Sequence, residues 1–284
     1  MSSDRVPQPT SGVPPLHVIG DIHGQRVELM SLLLDAGIVD DDLRWAAGGA
    51  ALWFVGDYVD RGPDGVGAID LVMRLEDAAK AAGGGVGSLL GNHDLLLLMA
   101  HRFGDRAVSS VTGMTFYGEW LEGGGQRAEL TGLTPERAGW LADRPAMALV
   151  ADRLLVHGDS LWYMEYGLSI DEVNAAVRAV LAGDDPVEWD RLLGAMSSRF
   201  AFDDALGGSA DAARLLLATY GGRQVIHGHT PIPLMVAREP EQVDAALVYA
   251  GGLAVNVDGA MYLGGPGFVL TIHDAAASAD PGLA

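Results

Sequence analysis

Seven short apolar runs, rich in β-branched residues and mostly bounded by glycine, punctuate the chain at 16–19, 52–55, 86–90, 154–156, 225–226, 254–257 and 268–272. Runs of this length and kind read as strands buried on both faces. Between the early runs the apolar residues change period. Leu29, Leu32, Leu33 and Ala36 fall at helical spacing after the first, and Ile69, Val72, Met73 and Leu75 after the second. Strand–helix–strand alternation implies parallel pairing in at least the first half, and hence an α/β fold.

The middle of the chain follows a different rule. Residues 94–145 read as helical with glycine-rich breaks, notably at 123–125. Ser169 and Glu172 make a capping-box pattern that opens a helix to about Leu181, and 188–196 and 210–220 read as two further helices. No internal repeat or low-complexity linker sets these helices apart. They read as insertions in one domain over 16–273, with a loose arm over 1–15 before it and a short flexible tail over 274–284 after it.

Five of the expected strands end in side chains that carry chemistry. Asp21 and His23 follow the first, Asp57, Asp60 and Arg61 the second, and Asn92 and His93 the third; His157 follows the fourth, and His227 and His229 the fifth. Glycine stands beside each group, which permits tight turns and close approach to a bound species. Open α/β sheets bind ligands outside the carboxyl ends of their strands, so these groups are expected to converge at one edge.

Carboxylate, imidazole and amide donors without sulfur suit manganese, iron or zinc better than magnesium. Two such cations sharing one carboxylate can activate a water and stabilise an in-line phosphoryl displacement. Arginine grips phosphate with a planar, bidentate fork, and Arg61 and Arg199 are the candidates for that task.

Composition narrows the chemistry further. The 284 residues include no cysteine, which removes disulfides, thiolate nucleophiles and sulfur-ligated metals, and fits a reducing compartment. A formal charge of −20 argues against a general nucleic-acid-binding face. No apolar run approaches the roughly 20 residues of a membrane helix, and the first fifteen residues lack the apolar segment of a secretory signal. A cytoplasmic protein is the expectation.

In order, the blocks Gly20-Asp21-Ile22-His23-Gly24, Gly56-Asp57-Tyr58-Val59-Asp60-Arg61-Gly62, Gly91-Asn92-His93-Asp94, His157-Gly158 and Gly228-His229-Thr230-Pro231 resemble the calcineurin-like metallophosphoesterase superfamily. More narrowly, they are similar to its bacterial phosphoprotein-phosphatase-like (serine/threonine protein phosphatase) branch. The resemblance implies a four-layer α/β/β/α sandwich with helical insertions. It implies two divalent cations, manganese first with iron or zinc as alternatives. Asp21, His23 and Asp57 would hold one, and Asp57, Asn92, His157 and His229 the other. His93 would be the general acid, oriented by Asp60, and Arg61, Arg199 and Asn92 would meet the phosphate of a phosphoprotein or small phosphate ester. The attacking group would be a metal-activated water.

Three functions are carried forward: hydrolysis of phosphate monoesters, with phosphoserine and phosphothreonine of proteins as candidate substrates; hydrolysis of dinucleoside polyphosphates of the diadenosine tetraphosphate type; and a binding module on a retired phosphatase scaffold. Plainer readings stand beside the residue assignments. Asp21 and His23 could cap a helix, and Asn92 could bond its own turn. His227 reads as a packed or outer imidazole, and Asp159 and Asp258 as outer or structural groups. The cluster Trp162, Tyr163, Met164 and Tyr166 reads first as core packing and second as a pocket wall.

Overall fold

A computed structural model of the chain describes residues 14–108 and 113–273. The expected arm lies outside those residues except for Pro14 and Pro15, and the expected tail over 274–284 lies outside them altogether.

Nine strands occur among the described residues: β1 (Leu16–Ile19), β2 (Ala51–Phe54), β3 (Gly85–Ser88), β4 (Met147–Val150), β5 (Arg153–Val156), β6 (Gln224–His227), β7 (Leu247–Tyr249), β8 (Ala254–Asn256) and β9 (Leu270–Ile272). They form two sheets, ordered β3-β2-β1-β9 and β4-β5-β6-β8-β7. β1 pairs parallel with β2 and β2 with β3, through the crossover helices Arg26–Asp35 and Gly65–Ala81. In the second sheet β5, β6 and β8 run parallel. The outer strands β9, β4 and β7 pair antiparallel with their neighbours.

The seven expected runs all fall on strands, with ends shifted by a residue or two. β4 and β7 are additions. The turn joining β4 to β5 carries Ala151 at φ 54, with none of the Asn-Gly or Asp-Gly signature of a tight hairpin. β7 is only three residues long, too short for a periodic signal.

The continuous apolar character of the strands has a direct cause. Leu16, Val18, Leu155, Ile226 and Val255 meet between the two sheets in one buried cluster, while Ile19, Leu52, Phe54, Leu154, Val156 and Val225 pack outward into a larger cluster with the helices. Both faces are covered, giving helices, sheet, sheet and helices in succession. Each fully buried aliphatic side chain contributes roughly 1.5–3 kcal/mol, so a polar residue at Val18 would disrupt the seam between the sheets.

Helix Asn92–Phe103 is buried over most of its circumference, as a helix enclosed by other elements must be. Helices Phe116–Glu122 and Arg127–Gly132 then pack beside the loop that leaves β2, where Trp120 and Glu129 bond Asp60. The Ser169 capping box forms as expected: its hydroxyl accepts from the Glu172 N–H at 3.3 Å, and Glu172 accepts from the Ser169 N–H at 3.2 Å. No described helix is long and apolar enough to cross a membrane.

Candidate active site

The loops that leave β1, β2, β3, β5 and β6 meet at one edge of the two sheets, and they bring Asp21, His23, Asp57, Asn92, His93, His157 and His229 together, all buried. Asp57 stands at the centre. Its Oδ2 is 3.6 Å from His23 Nε2, and its Oδ1 is 3.4 Å from His157 Nε2. Asp21 Oδ2 lies 3.8 Å from His23 Nε2. Two donors on one cation, each about 2 Å from it, stand roughly 3 Å or somewhat more from each other, so these gaps suit shared coordination better than direct hydrogen bonds. Two groups of potential ligands result, His23–Asp57–His93 and Asp57–His157–His229, and both contain Asp57.

The histidines are set up as ligands by the backbone. His23 Nδ1–H donates to the Val59 carbonyl at 3.0 Å and His157 Nδ1–H to the Val55 carbonyl at 2.8 Å, which leaves each Nε2 lone pair toward Asp57. His229 is turned the other way: its Nε2–H donates to the Ser197 carbonyl at 3.3 Å, leaving Nδ1. Fixing one ring nitrogen in this manner chooses the tautomer that can bind metal. Burial pushes His23 and His229 well below the usual histidine range and lowers His157 as well, so the neutral, ligating form is favoured. Asn92 Oδ1 sits 3.0 Å from His157 Nε2 and adds a neutral oxygen to the second group.

The carboxylates show why a cation fits. Burial, then the charges of Asp258 and Asp57, drives Asp21 well above the ordinary carboxylate range. Burial, with Asp57 beside it, does the same to Asp94. Burial works against Asp57 too, but the positive charge that the surrounding imidazoles carry when protonated outweighs it and holds this carboxyl below its usual range, a pull that a cation can exert in their place. A dense set of buried acids facing neutral imidazoles is a donor set that a divalent cation relieves.

Close approach explains two further features. A Cβ on Gly91 would lie 2.1 Å from Asp57 Oδ1, so only glycine lets that carboxylate turn into the site. His23, Asp57, Asp60, Arg61 and His229 all have positive φ, between 44° and 67°. Such conformations cost on the order of 1–3 kcal/mol each and persist where the surroundings over-determine them. Asp94 supplies much of that determination, accepting from the N–H groups of Asp57 (2.9 Å), Tyr58 (3.0 Å) and Gly91 (2.8 Å) and so tying the β2 loop to the β3 loop.

Asp60 and Arg61 also face the cleft. Asp60 Oδ2 accepts from His93 Nδ1–H at 2.8 Å, and its Oδ1 accepts from Trp120 Nε1–H at 2.7 Å. The Asp60 N–H donates in turn to Glu129 Oε1 at 2.9 Å. Trp120 and Glu129 are buried and come from the helical insertion, and nothing in their local sequence marks them. The Arg61 guanidinium lies over the Tyr262 ring at 4.2 Å and donates to His23 Nε2 at 2.7 Å and His93 Nε2 at 2.8 Å. An arginine N–H and a cation therefore compete for the same His23 lone pair. Arg199 occupies an exposed turn after helix Pro186–Met196. Its charge reaches the site, where it acts on His157, His229 and Asp258.

His227 stands apart from both ligand groups. It donates from Nδ1 to the Gly228 carbonyl at 2.9 Å and meets the Tyr249 hydroxyl at 2.8 Å through Nε2, as a packed imidazole does. Asp159 accepts from the Thr230 hydroxyl at 3.0 Å and the Tyr249 hydroxyl at 3.3 Å, which anchors the turn beyond His229. Trp162 and Tyr163 are buried and stacked at 4.1 Å, and Tyr163 bonds the backbone of Gly158, so this pair packs the core behind His157.

Comparison with known proteins agrees with this geometry. A model of the calcineurin-like phosphoesterase family matches residues 14–233. Shewanella-like protein phosphatase 2 of Arabidopsis thaliana is 25% identical over 267 residues, covering 76% of this chain and 66% of that protein. A symmetrical bis(5'-nucleosyl)-tetraphosphatase of Thioalkalivibrio sulfidiphilus is 36% identical over 87 residues, covering 31% of this chain and 27% of the relative. The chain thus matches less than two thirds of the length of either. Among solved structures, the cold-active protein-tyrosine phosphatase of a psychrophilic Shewanella species shares the fold, with a TM-score of 0.70, 23% identity and coverage of 93% of this chain and 76% of that one. By the span of the family match and the two-sheet fold that carries it, the chain belongs to the calcineurin-like phosphoesterase family.

Proposed function

We propose that this protein is a two-cation phosphomonoesterase whose substrates are phosphorylated proteins. The observation that carries the reading is Asp57, one carboxylate common to two ligand groups, within 3.4–3.6 Å of imidazole nitrogens on either side. In this reading Asp21, His23 and Asp57 hold the first cation, and Asp57, Asn92, His157 and His229 the second. Manganese is the metal we assign, with iron or zinc as alternatives, because mixed oxygen and imidazole donors suit these ions. Bound cations supply Lewis acidity and a water acidic enough to attack phosphorus near neutral pH.

The chain's own groups do the rest. Arg61 and Arg199 grip the phosphoryl oxygens, Asn92 Oδ1 lines the same face, and the tight loops exclude bulk water. His93, held through Nδ1 by Asp60, turns Nε2 toward the cleft; when the Arg61 N–H leaves that nitrogen for a phosphoryl oxygen, the ring takes up a second proton at Nε2 and gives it to the departing oxygen. Protein substrates are favoured by the likeness to Shewanella-like protein phosphatase 2, which runs over 76% of this chain. The cysteine-free composition suits work in the cytoplasm.

One observation favours a second substrate. The 36% match to a bis(5'-nucleosyl)-tetraphosphatase falls on 87 residues, so dinucleoside tetraphosphates are the alternative class. A single experiment separates the readings: manganese-loaded protein is offered p-nitrophenyl phosphate, a phosphopeptide and diadenosine tetraphosphate, with metal content measured in parallel. Phosphate released from the first two supports the proposal, and cleavage of the dinucleotide alone replaces it with the alternative. Turnover of none of the three, or fewer than two cations per chain, would point to a retired scaffold that binds without hydrolysing.

A further inference from the structure

Among the described acids that are fully shut off from solvent, Asp60, Asp94 and Asp159 have both carboxylate oxygens engaged by N–H or O–H donors. Asp258 differs. Its Oδ1 accepts from the Ala260 N–H at 2.9 Å, while its Oδ2 is buried and meets no donor from the protein. A carboxylate oxygen so placed costs several kcal/mol unless a donor or cation faces it. The backbone brings Asp258 next to the strand-end loops. A Cβ on Gly20 would lie 2.1 Å from the Val257 carbonyl oxygen and 3.0 Å from Asp258 N, so the segment after β8 is pressed against the residue preceding Asp21. Asp258 is the foremost charge acting on Asp21, and Asp57, Arg61 and Arg199 act on Asp258. Tyr262, four residues on, has its ring 4.9 Å from that of His23.

We propose that Asp258 is a further carboxylate of the cation centre, its Oδ2 accepting a hydrogen bond from a water of the first cation's shell and so strengthening binding at the Asp21–His23–Asp57 site. The inference rests on the two-cation reading above. It assigns Asp258 a positioning role for the cation and no contact with substrate. Two arrangements of the same loop make the role specific. Oδ1 and the strained Ala260, at φ 56, fix the carboxylate plane, and the Asn256 side chain braces the turn by accepting from the Asp258 N–H at 2.8 Å. The turn holds itself without Oδ2, which leaves that oxygen for the centre.

The test is metal binding, read independently of turnover. Asp258→Asn keeps an acceptor for the Ala260 N–H and replaces the free oxygen with a donor. Manganese titration by calorimetry, with retained metal counted after gel filtration, should show wild type holding about two ions per chain. The variant should bind one of them about 10–100-fold more weakly, the range of outer partners of metal sites, and the other unchanged. Asp258→Ser, smaller but still an acceptor, should weaken the same ion and serves as the readout if the asparagine variant fails to fold. Either folded variant binding both ions within twofold of wild type overturns the proposal. Wild type holding fewer than two ions would refute the two-cation reading itself, a separate result.

Discussion

The cleft has two banks built in different ways. On one, Asp21, His23, Asp57, Asn92, His157 and His229 lie within a few residues of the ends of parallel strands, and backbone carbonyls of the β2 loop orient His23 and His157. On the other, Trp120, Glu129 and Ser197 arrive from helical insertions after β3 and β5 and hydrogen-bond Asp60 or His229 from the side, while Arg199 acts on the centre through its charge from an exposed turn. The strand bank is tied into the register of two sheets. The helical bank can change without disturbing that register. On the proposed function, the strand bank decides whether cations are held, and the helical bank decides what happens to the proton and the substrate. Substitutions on the two banks should therefore separate metal content from turnover.

The largest effect is expected at the centre of the strand bank. Asp57→Asn removes the charge common to both ligand groups, and phosphatase activity should fall by well over the roughly 100-fold typical of outer partners. Retained manganese should drop from about two ions to one or none. Full metal content in this variant would break the comparison at its strongest point. Asp60 lies where the banks touch. Asp60→Asn should lower kcat about 10–100-fold while leaving both cations in place, and a kinetically silent variant would remove Asp60 as the partner of His93.

Trp120 carries the same test wholly onto the helical bank. Trp120→Phe keeps an aromatic ring in a fully buried site and deletes the N–H that donates to Asp60 at 2.7 Å. A hydrogen bond to a charged group is worth about 1.5–3 kcal/mol, so kcat should fall about tenfold or somewhat more. KM and metal content should stay near wild type, and the limb of the pH–rate profile set by ionisation of Asp60 should move to higher pH, because the indole N–H favours the charged carboxylate. An unmoved profile with a tenfold loss would mean that the indole only packs. Arg199→Ala should show the complementary split, with KM raised about tenfold for loss of one charge-assisted contact and kcat changed little. An unchanged KM would mean that another cation meets the phosphate.

The contrast between the banks also explains what the amino-acid sequence displays. Each strand-bank ligand directly follows an apolar run and sits beside glycine, so its place in the fold is written locally, and Asp21 through His229 could be gathered at one edge from strand order alone. Trp120 and Glu129 belong to ordinary amphipathic helices 60 and 69 residues away from Asp60. Their roles depend on how an insertion folds back, which no local pattern encodes. Asp94 was visible as part of the third block, yet its three backbone contacts require the β2 and β3 loops to be side by side. β4 and β7 escaped for a simpler reason: both are edge strands, one left by a turn without glycine and the other three residues long. Asp258 could be read from the sequence only as an outer or structural group, without a choice between the two, and its free oxygen is a property of packing.

Glu129 gives the smallest expected effect on turnover and the finest discrimination between the banks. Burial, and then the charge of Asp60, raises its carboxyl to about 7, so the folded state holds a proton that an unfolded chain releases near 4.5. The sign follows from linkage: stability from this group is fully present below the unfolded value and is lost as pH rises toward 7, by at most about 3 kcal/mol. Wild type should therefore lose several degrees of Tm more than Glu129→Gln between pH 5 and 7.5, at a few degrees per kcal/mol for a chain of this size. Glu129 touches no cation ligand, so the difference should persist when manganese is present. The pH dependence contributed by Asp21 and Asp258 should instead shrink, because a bound cation holds those carboxylates ionised. Parallel melting curves for wild type and Glu129→Gln would mean that Glu129 gains no proton on folding. A difference that vanished on adding manganese would place Glu129 with the strand bank after all.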